Sequence, residues 1–170
     1  GALVDVKKGS LISDRIRVET PEGGRPDDIA RVVAELVTSL PGIKNGIPVG
    51  ICFPAVVRHG KTMSAANVSS EWIGLDAVAL FEKALGRKVH VLNDADAAGV
   101  AEVKFGAAKD NDGLVIMTTL GTGIGTALFI EGKLVPNAEL GHLEIDGVDY
   151  ETKAAYSAKE REDLSFDDWA

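Results

Sequence analysis

The strongest constraint on this chain is a helical pattern that runs directly into an apolar strand. Ile29, Val32, Val33, Leu36, Val37 and Leu40 recur at alternating steps of three and one, which lines a single face of an α-helix. Pro26 suits the first turn of that helix, and Asp27 and Asp28 complement its N-terminal dipole. Pro41-Gly42 stops the helix, and Ile47 to Phe53 follow as a mostly apolar strand of the kind buried on both faces of an α/β protein. Upstream, Gly1 to Val6 and Leu11 to Glu19 flank the turn Lys7-Lys-Gly-Ser10 and read as a β-hairpin. A strand, helix, strand crossover implies parallel pairing, and hence an α/β fold.

Such a fold needs a core, and 45% hydrophobic against 26% charged residues supplies one. The 170 residues make one domain or two small ones. A net charge of −8 opposes bulk attraction to nucleic acid or to an anionic membrane, so neither is expected as a partner. The single cysteine, Cys52, excludes an internal disulfide and a cysteine-built zinc site, and its apolar neighbours predict a buried structural thiol. No run approaches the roughly 18 apolar residues of a membrane helix, and no basic segment followed by an apolar one opens the chain. A cytoplasmic location is expected.

After Pro54, the polar stretch Arg58 to Thr62 and the segment Asn67 to Trp72 are too long and irregular for a simple connector, and Trp72 points to a functional loop. Leu75 to Leu85 reads as a helix closed by Gly86, Lys88 to Leu92 as a strand, and Ala95 to Phe105 as an alanine-rich helix. Gly113 to Thr119, Thr126 to Ile130 and Lys133 to Val135 read as strands, the last two joined at Glu131-Gly132. Glu151 to Asp163 reads as a charged helix before an acidic, aromatic end. A domain boundary is expected near Gly106 to Gly113, dividing 1–106 from 107–170, with a ligand cleft at the C-terminal ends of the parallel strands.

Three clusters fall where loops follow strands. Asn93-Asp94 presents an amide and a carboxylate at a strand end; the carboxylate can take the proton of an attacking hydroxyl, and the amide can bind sugar hydroxyls. The same dipeptide also suits a helix N-cap, a role Asp96 could equally fill. Leu120-Gly-Thr-Gly-Ile-Gly125, with Thr118 and Thr119 beside it, lets backbone N–H groups approach phosphate oxygens, although a plain turn accounts for it equally well. It is neither a P-loop nor a dinucleotide fingerprint, because no Gly-Lys-Ser/Thr follows and it opens a strand. Glu139 and His142, three apart around Gly141, suit a polyol or half of a metal site, but no nearby Cys or second His completes zinc coordination. His59 and His90 carry no such signal.

Taken together, Leu92 to Glu102, Thr119 to Phe129 and Glu139-Leu-Gly-His-Leu-Glu-Ile145 resemble the ROK family of sugar kinases, in particular its actinobacterial polyphosphate glucokinase and glucomannokinase branch. The resemblance implies the α/β actin/hexokinase-like (ribonuclease H-like) two-lobed ATPase fold, here incomplete, with 1–106 as a sugar-binding lobe lacking its first strand and 107–170 as the start of the second lobe. It implies a glucokinase moving a phosphoryl group from polyphosphate or ATP to the 6-hydroxyl of glucose. Asp94 would be the base, and Asn93, Glu139, His142 and Asn67 sugar contacts, with a further Glu supplied by Glu151 or Glu160. Thr119, Gly121, Thr122 and Gly123 would meet the donor phosphates, accompanied by Mg²⁺. Many relatives bind zinc through this His and a following Cys cluster; Gly147 to Glu151 has no Cys, so no zinc is expected.

The family's first phosphate hairpin, Asp-x-Gly-Gly-Thr, is expected upstream of Gly1, since the chain opens inside an apparent strand; a C-terminal portion that packs on the donor is also expected beyond it. On that expectation the isolated chain does not phosphorylate sugar, and it is poorly stable or self-associates, a homodimer being the simplest form. The competing reading is a sugar-sensing ROK regulator lacking its DNA-binding domain. A polyanionic donor calls for a strip of Lys and Arg; Arg58, Lys61, Lys104 and Lys109 are candidates, scattered along the sequence.

Overall fold

The computed structural model describes residues 1–44 and 46–169, which form two compact units, Gly1–Asp94 and Ala95–Ala170. The first unit opens with the hairpin β1 (Val4–Asp5) and β2 (Ser10–Leu11), followed by helix α1 (Pro26–Ser39), strand β3 (Val49–Phe53), the short hairpin β4 (Val57–Arg58) and β5 (Lys61–Thr62), helix α2 (Ala77–Leu85) and strand β6 (Val89–Asn93). Pro26 is the first residue of α1, with Asp27 and Asp28 in its first turn. Asp76 caps α2 by accepting the Ala79 N–H at 2.9 Å, and Gly86 closes it in the left-handed region at φ 62°.

The expected parallel pairing exists, but between other strands. β3 pairs with β6 in register from Val49–Val89 to Phe53–Asn93, through a crossover that contains α2, whereas β1–β2 forms its own two-stranded sheet. The strand β3 is also not buried on both faces. Phe53 is buried and Val49 and Ile51 face the core, while Gly50 and Cys52 lie on the opposite, exposed face. Side-chain alternation in a two-stranded sheet therefore exposes Cys52, which corrects the reading of a buried thiol. Partial desolvation, and secondarily the Asp94 carboxylate, raise the thiol's pKa, which disfavours the nucleophilic thiolate.

The core of this unit gathers Phe53, Trp72 and Phe81 with Ala30, Ala55, Ala77 and Val89. The Trp72 ring centroid lies 4.3 Å from that of Phe53 and 5.7 Å from that of Phe81. Its Nε1–H donates to the Gly24 carbonyl at 2.9 Å, and Thr62 Oγ1 donates to the Trp72 carbonyl. Trp72 is thus the buried anchor of a long connection rather than a ligand-facing residue, because an apolar ring with a satisfied N–H gains most inside a core.

The second unit holds helix α3 (Asp94–Phe105), which starts on the last residue of the first unit, and the antiparallel sheet β7 (Leu114–Leu120), β8 (Ile124–Ile130) and β9 (Lys133–Val135). Gly99 allows α3 to lie against β8, since a Cβ there would meet Ala127 and Phe129 at 2.6 and 2.7 Å. This packing draws α3 into the second unit, upstream of the 106/107 boundary read from composition. Hairpin β10 (Glu144–Ile145) and β11 (Val148–Asp149) follows, then the short helices α4 (Glu151–Ala154), α5 (Tyr156–Arg161) and α6 (Phe166–Trp169). The single helix expected over 151–163 is broken where Ala155 turns extended at ψ 155°.

Truncation of the aromatic anchor tests this core. Trp72→Ala is expected to lower unfolding free energy by about 3–5 kcal/mol in urea melts followed by circular dichroism. Trp72→Phe should lower it less, with about 1 kcal/mol from the lost hydrogen bond, because the Ser69 N–H still reaches the Gly24 oxygen. A near-neutral Trp72→Ala would contradict the packing.

Candidate functional site

In the first unit, β6 ends at Asn93, the cross-strand partner of Phe53. The Asn93 side chain is buried and its Nδ2 donates to the Ala55 carbonyl at 3.2 Å, so the amide holds the Pro54-Ala55 loop that leaves β3. Asp94, one residue on, is exposed and is the first residue of α3. Asp96, the alternative cap, instead lies buried inside α3, where its Oδ2 accepts the Asn137 N–H at 2.9 Å. Asn67 is exposed on the loop after β5, and Arg58 and Lys61 are cross-strand partners in the β4–β5 hairpin. His59 sits at that hairpin's turn with φ 51°.

In the second unit the other two motifs converge. The Gly-rich segment is the tight turn between β7 and β8, closed by Gly121 N–H donating to the Gly123 carbonyl at 2.9 Å. Among the described residues, the Thr122 and Gly123 N–H groups donate to no protein atom. Thr119 pairs with Gly125 in the ladder. Ser157 fastens the loop from α5, its N–H donating to the Gly121 carbonyl at 3.2 Å and its Oγ to the Thr122 carbonyl at 2.6 Å.

The Glu139–His142 motif forms a 3-10 turn, Leu140–His142, with Glu139 left-handed at φ 47°. This turn abuts the start of β8 at Gly141, where a Cβ would collide with the Ile124 carbonyl, and the Leu140 N–H donates to Thr126 Oγ1 at 2.8 Å. Glu151, at the start of α4, links the two motifs. Its Oε2 accepts the Ile124 N–H at 2.7 Å, and its Oε1 lies 3.9 Å from His142 Nδ1. Glu160, the other candidate, is exposed on α5. Lys104 and Lys109 belong to this unit and line one pocket beside Phe129 and Leu134, whereas Arg58 and Lys61 are cross-strand partners in the first unit.

Sequence reasoning missed Asp149. The Asp146-Gly147 turn, with φ 53° and 75°, folds β11 back so that Asp149 stands opposite Glu144, and its Oδ2 lies 3.1 Å from His142 Nδ1. An Asp-Gly pair between short apolar strands is the hairpin signal that could have found it. The hydrogen bond that the ring donates to Asp149 raises the imidazole above its ordinary range, with Glu151 and Glu139 adding to the effect; the His142 bond and the Glu151 N–H draw the Asp149 carboxyl below its own. Among the described residues no group of three or more His, Cys, Asp or Glu could hold a metal ion.

Residues 1–159 match the ROK family, and the chain belongs to it. Across its whole length it is 46% identical to the polyphosphate glucokinase of Mycobacterium tuberculosis, and it spans 63% of that protein. Its structure matches the polyphosphate/ATP-glucomannokinase of Arthrobacter sp. strain KM with a TM-score of 0.92 at 50% identity, covering 99% of this chain and 68% of that one. A ROK glucokinase from Streptomyces griseus, solved with glucose and AMPPNP, matches with a TM-score of 0.81 at 28% identity, over 94% of this chain and 55% of that one. The fold is the α/β actin/hexokinase-like fold of ROK sugar kinases. No helix among the described residues is long and apolar enough to cross a membrane.

The His142–Asp149 pair sets a pH dependence. A raised imidazole contributes stability that is full below about pH 6.5 and fades as pH rises through its folded pKa. A lowered carboxyl contributes above about pH 4 and fades as pH falls through its folded pKa. His142 is exposed and Asp149 half-buried at the surface, so the effect is small and screened by salt. Thermal melts at low salt should show wild type losing more stability between pH 5.5 and pH 8.5 than Asp149→Asn, whereas identical pH profiles would break the assignment.

Proposed function

We propose that this chain carries the acceptor and donor-phosphate contacts of a cytoplasmic glucokinase that uses polyphosphate or ATP. The observation that carries this reading is the convergence of the Gly-rich turn, Glu151 and the Glu139–His142 turn in one unit, tied by the Glu151–Ile124 bond and the close approach at Gly141. Two spare N–H groups suit phosphate oxygens, and a carboxylate beside an imidazole suits a polyol. Whole-length identity to polyphosphate glucokinases supports the same reading.

In this mechanism Asp94 accepts the proton of the glucose 6-hydroxyl as its oxygen attacks the terminal phosphorus of the donor. The new O–P bond forms as the bond to the departing phosphate chain breaks, and the electron pair leaves on that chain. Asn93, Asn67, Glu139, His142 and Glu151 hold the sugar hydroxyls; Glu151 takes the place left open between itself and Glu160 because it lies beside His142. Thr119, Gly121, Thr122 and Gly123 receive the donor phosphates. Mg²⁺ bound with the donor would offset the negative charge of its phosphates.

The test is glucose 6-phosphate formation with polyphosphate and with ATP. It is run on this chain, on the chain completed to its relatives' length with the flanking segments of the mycobacterial protein, and on Asp94→Asn in each. Turnover by the completed chain should fall by about two to four orders of magnitude in Asp94→Asn, with glucose affinity retained. A folded, completed chain that turns over neither donor would overturn the proposal.

A further inference from the structure

Asp149 lies seven residues beyond His142, yet hairpin β10–β11 returns it to the imidazole. Each oxygen of its carboxylate has a separate task. Oδ2 meets His142 Nδ1 at 3.1 Å, and Oδ1 accepts the Glu151 N–H at 2.9 Å, at the start of α4. Thr152 Oγ1 donates to the Asp149 backbone carbonyl at 2.6 Å, and the Tyr150 N–H donates to the Leu143 carbonyl at 3.2 Å. The carboxylate is therefore fixed at both oxygens and along its backbone. A carboxylate can only accept, so Nδ1 must carry the proton. The nitrogen left to meet a ligand is Nε2.

We propose that Asp149 is the positioning residue of the acceptor site: it holds the Nδ1–H tautomer and the ring orientation of His142, and thereby presents Nε2 to a sugar hydroxyl. The inference rests on the glucokinase reading and adds to it a residue that never touches the sugar. Three acidic groups face the ring: Asp149 on β11, Glu151 on α4, and Glu139 before the 3-10 turn. The carboxylate nearest to the ring also sets whether Nε2 accepts or donates. A neutral ring accepts a hydroxyl proton at Nε2, and a protonated ring donates from it.

D-Glucose affinity measured by calorimetry in the completed chain as wild type, Asp149→Ala, Asp149→Asn, His142→Ala and the Asp149→Ala/His142→Ala double variant tests this. Asp149→Ala should weaken glucose binding about tenfold. Asp149→Asn, whose amide oxygen can still accept from Nδ1–H, should recover most of that loss. In the His142→Ala background, Asp149→Ala should add nothing. The pH midpoint of glucose affinity, absent in His142→Ala, should move to lower pH in Asp149→Asn, because the charge that favours the protonated ring is gone. If Asp149→Ala costs as much without His142 as with it, the residue acts only through its cap on α4 and the inference falls. A folded, completed chain that binds no glucose overturns the glucokinase reading, and the inference with it; that outcome is distinguished by failing before any variant is compared.

Discussion

Parallel pairing of β3 with β6, in register up to Phe53 and Asn93, ends both strands at the same level of the sheet. From that constraint follows the geometry of the first unit's candidate residues. The loops leaving the two strands emerge side by side, and the Asn93 amide bonds directly to the Ala55 carbonyl. Asp94 follows where strand becomes helix, so one peptide step turns the next side chain from a buried amide to an exposed carboxylate. The register itself depends on the aromatic cluster beneath it, since Phe53 is both the last residue of β3 and a neighbour of Trp72 and Phe81.

The second unit relies on absent side chains. Gly99 admits β8 to the surface of α3, Gly141 brings the Glu139–His142 turn against Ile124, and Gly123 leaves room for the Glu151 carboxylate, whose Oε2 would lie 2.6 Å from a Cβ there. Each close approach depends on a missing Cβ, and those at Gly141 and Gly123 hold candidate-site residues against the start of β8 rather than on a free loop. Glu139 sustains a left-handed backbone without being glycine, a local strain of the kind that collects at functional positions.

What was legible in the sequence was local. The stripe from Ile29 to Leu40, Pro26 at the first turn, Gly86 at a helix end and the Glu131-Gly132 turn are each decided by a few neighbouring residues, and each stands where the pattern put it. Pairing was not local. Whether Cys52 is covered depends on what lies against one face of a two-stranded sheet, and whether Trp72 binds a ligand or a core depends on Gly24, far behind it in sequence. The three motif clusters were visible as chemistry, but the contacts among the Gly-rich turn, Glu151 and His142 are tertiary. Asp149 was missed because its importance comes from a hairpin return, not from its own surroundings in the chain.

One carboxylate joins two motifs: Glu151 holds the Ile124 N–H with one oxygen and stands beside the His142 ring with the other. A group shared in this way cannot answer to one neighbour alone. Whatever free energy a ligand at the Gly-rich turn adds to or removes from the Glu151 contact is felt at the imidazole, and thermodynamic linkage requires the same factor in the reverse direction. A single acidic side chain thereby gives the second unit a reciprocal energetic connection between its two motifs, without a hinge or a moving domain.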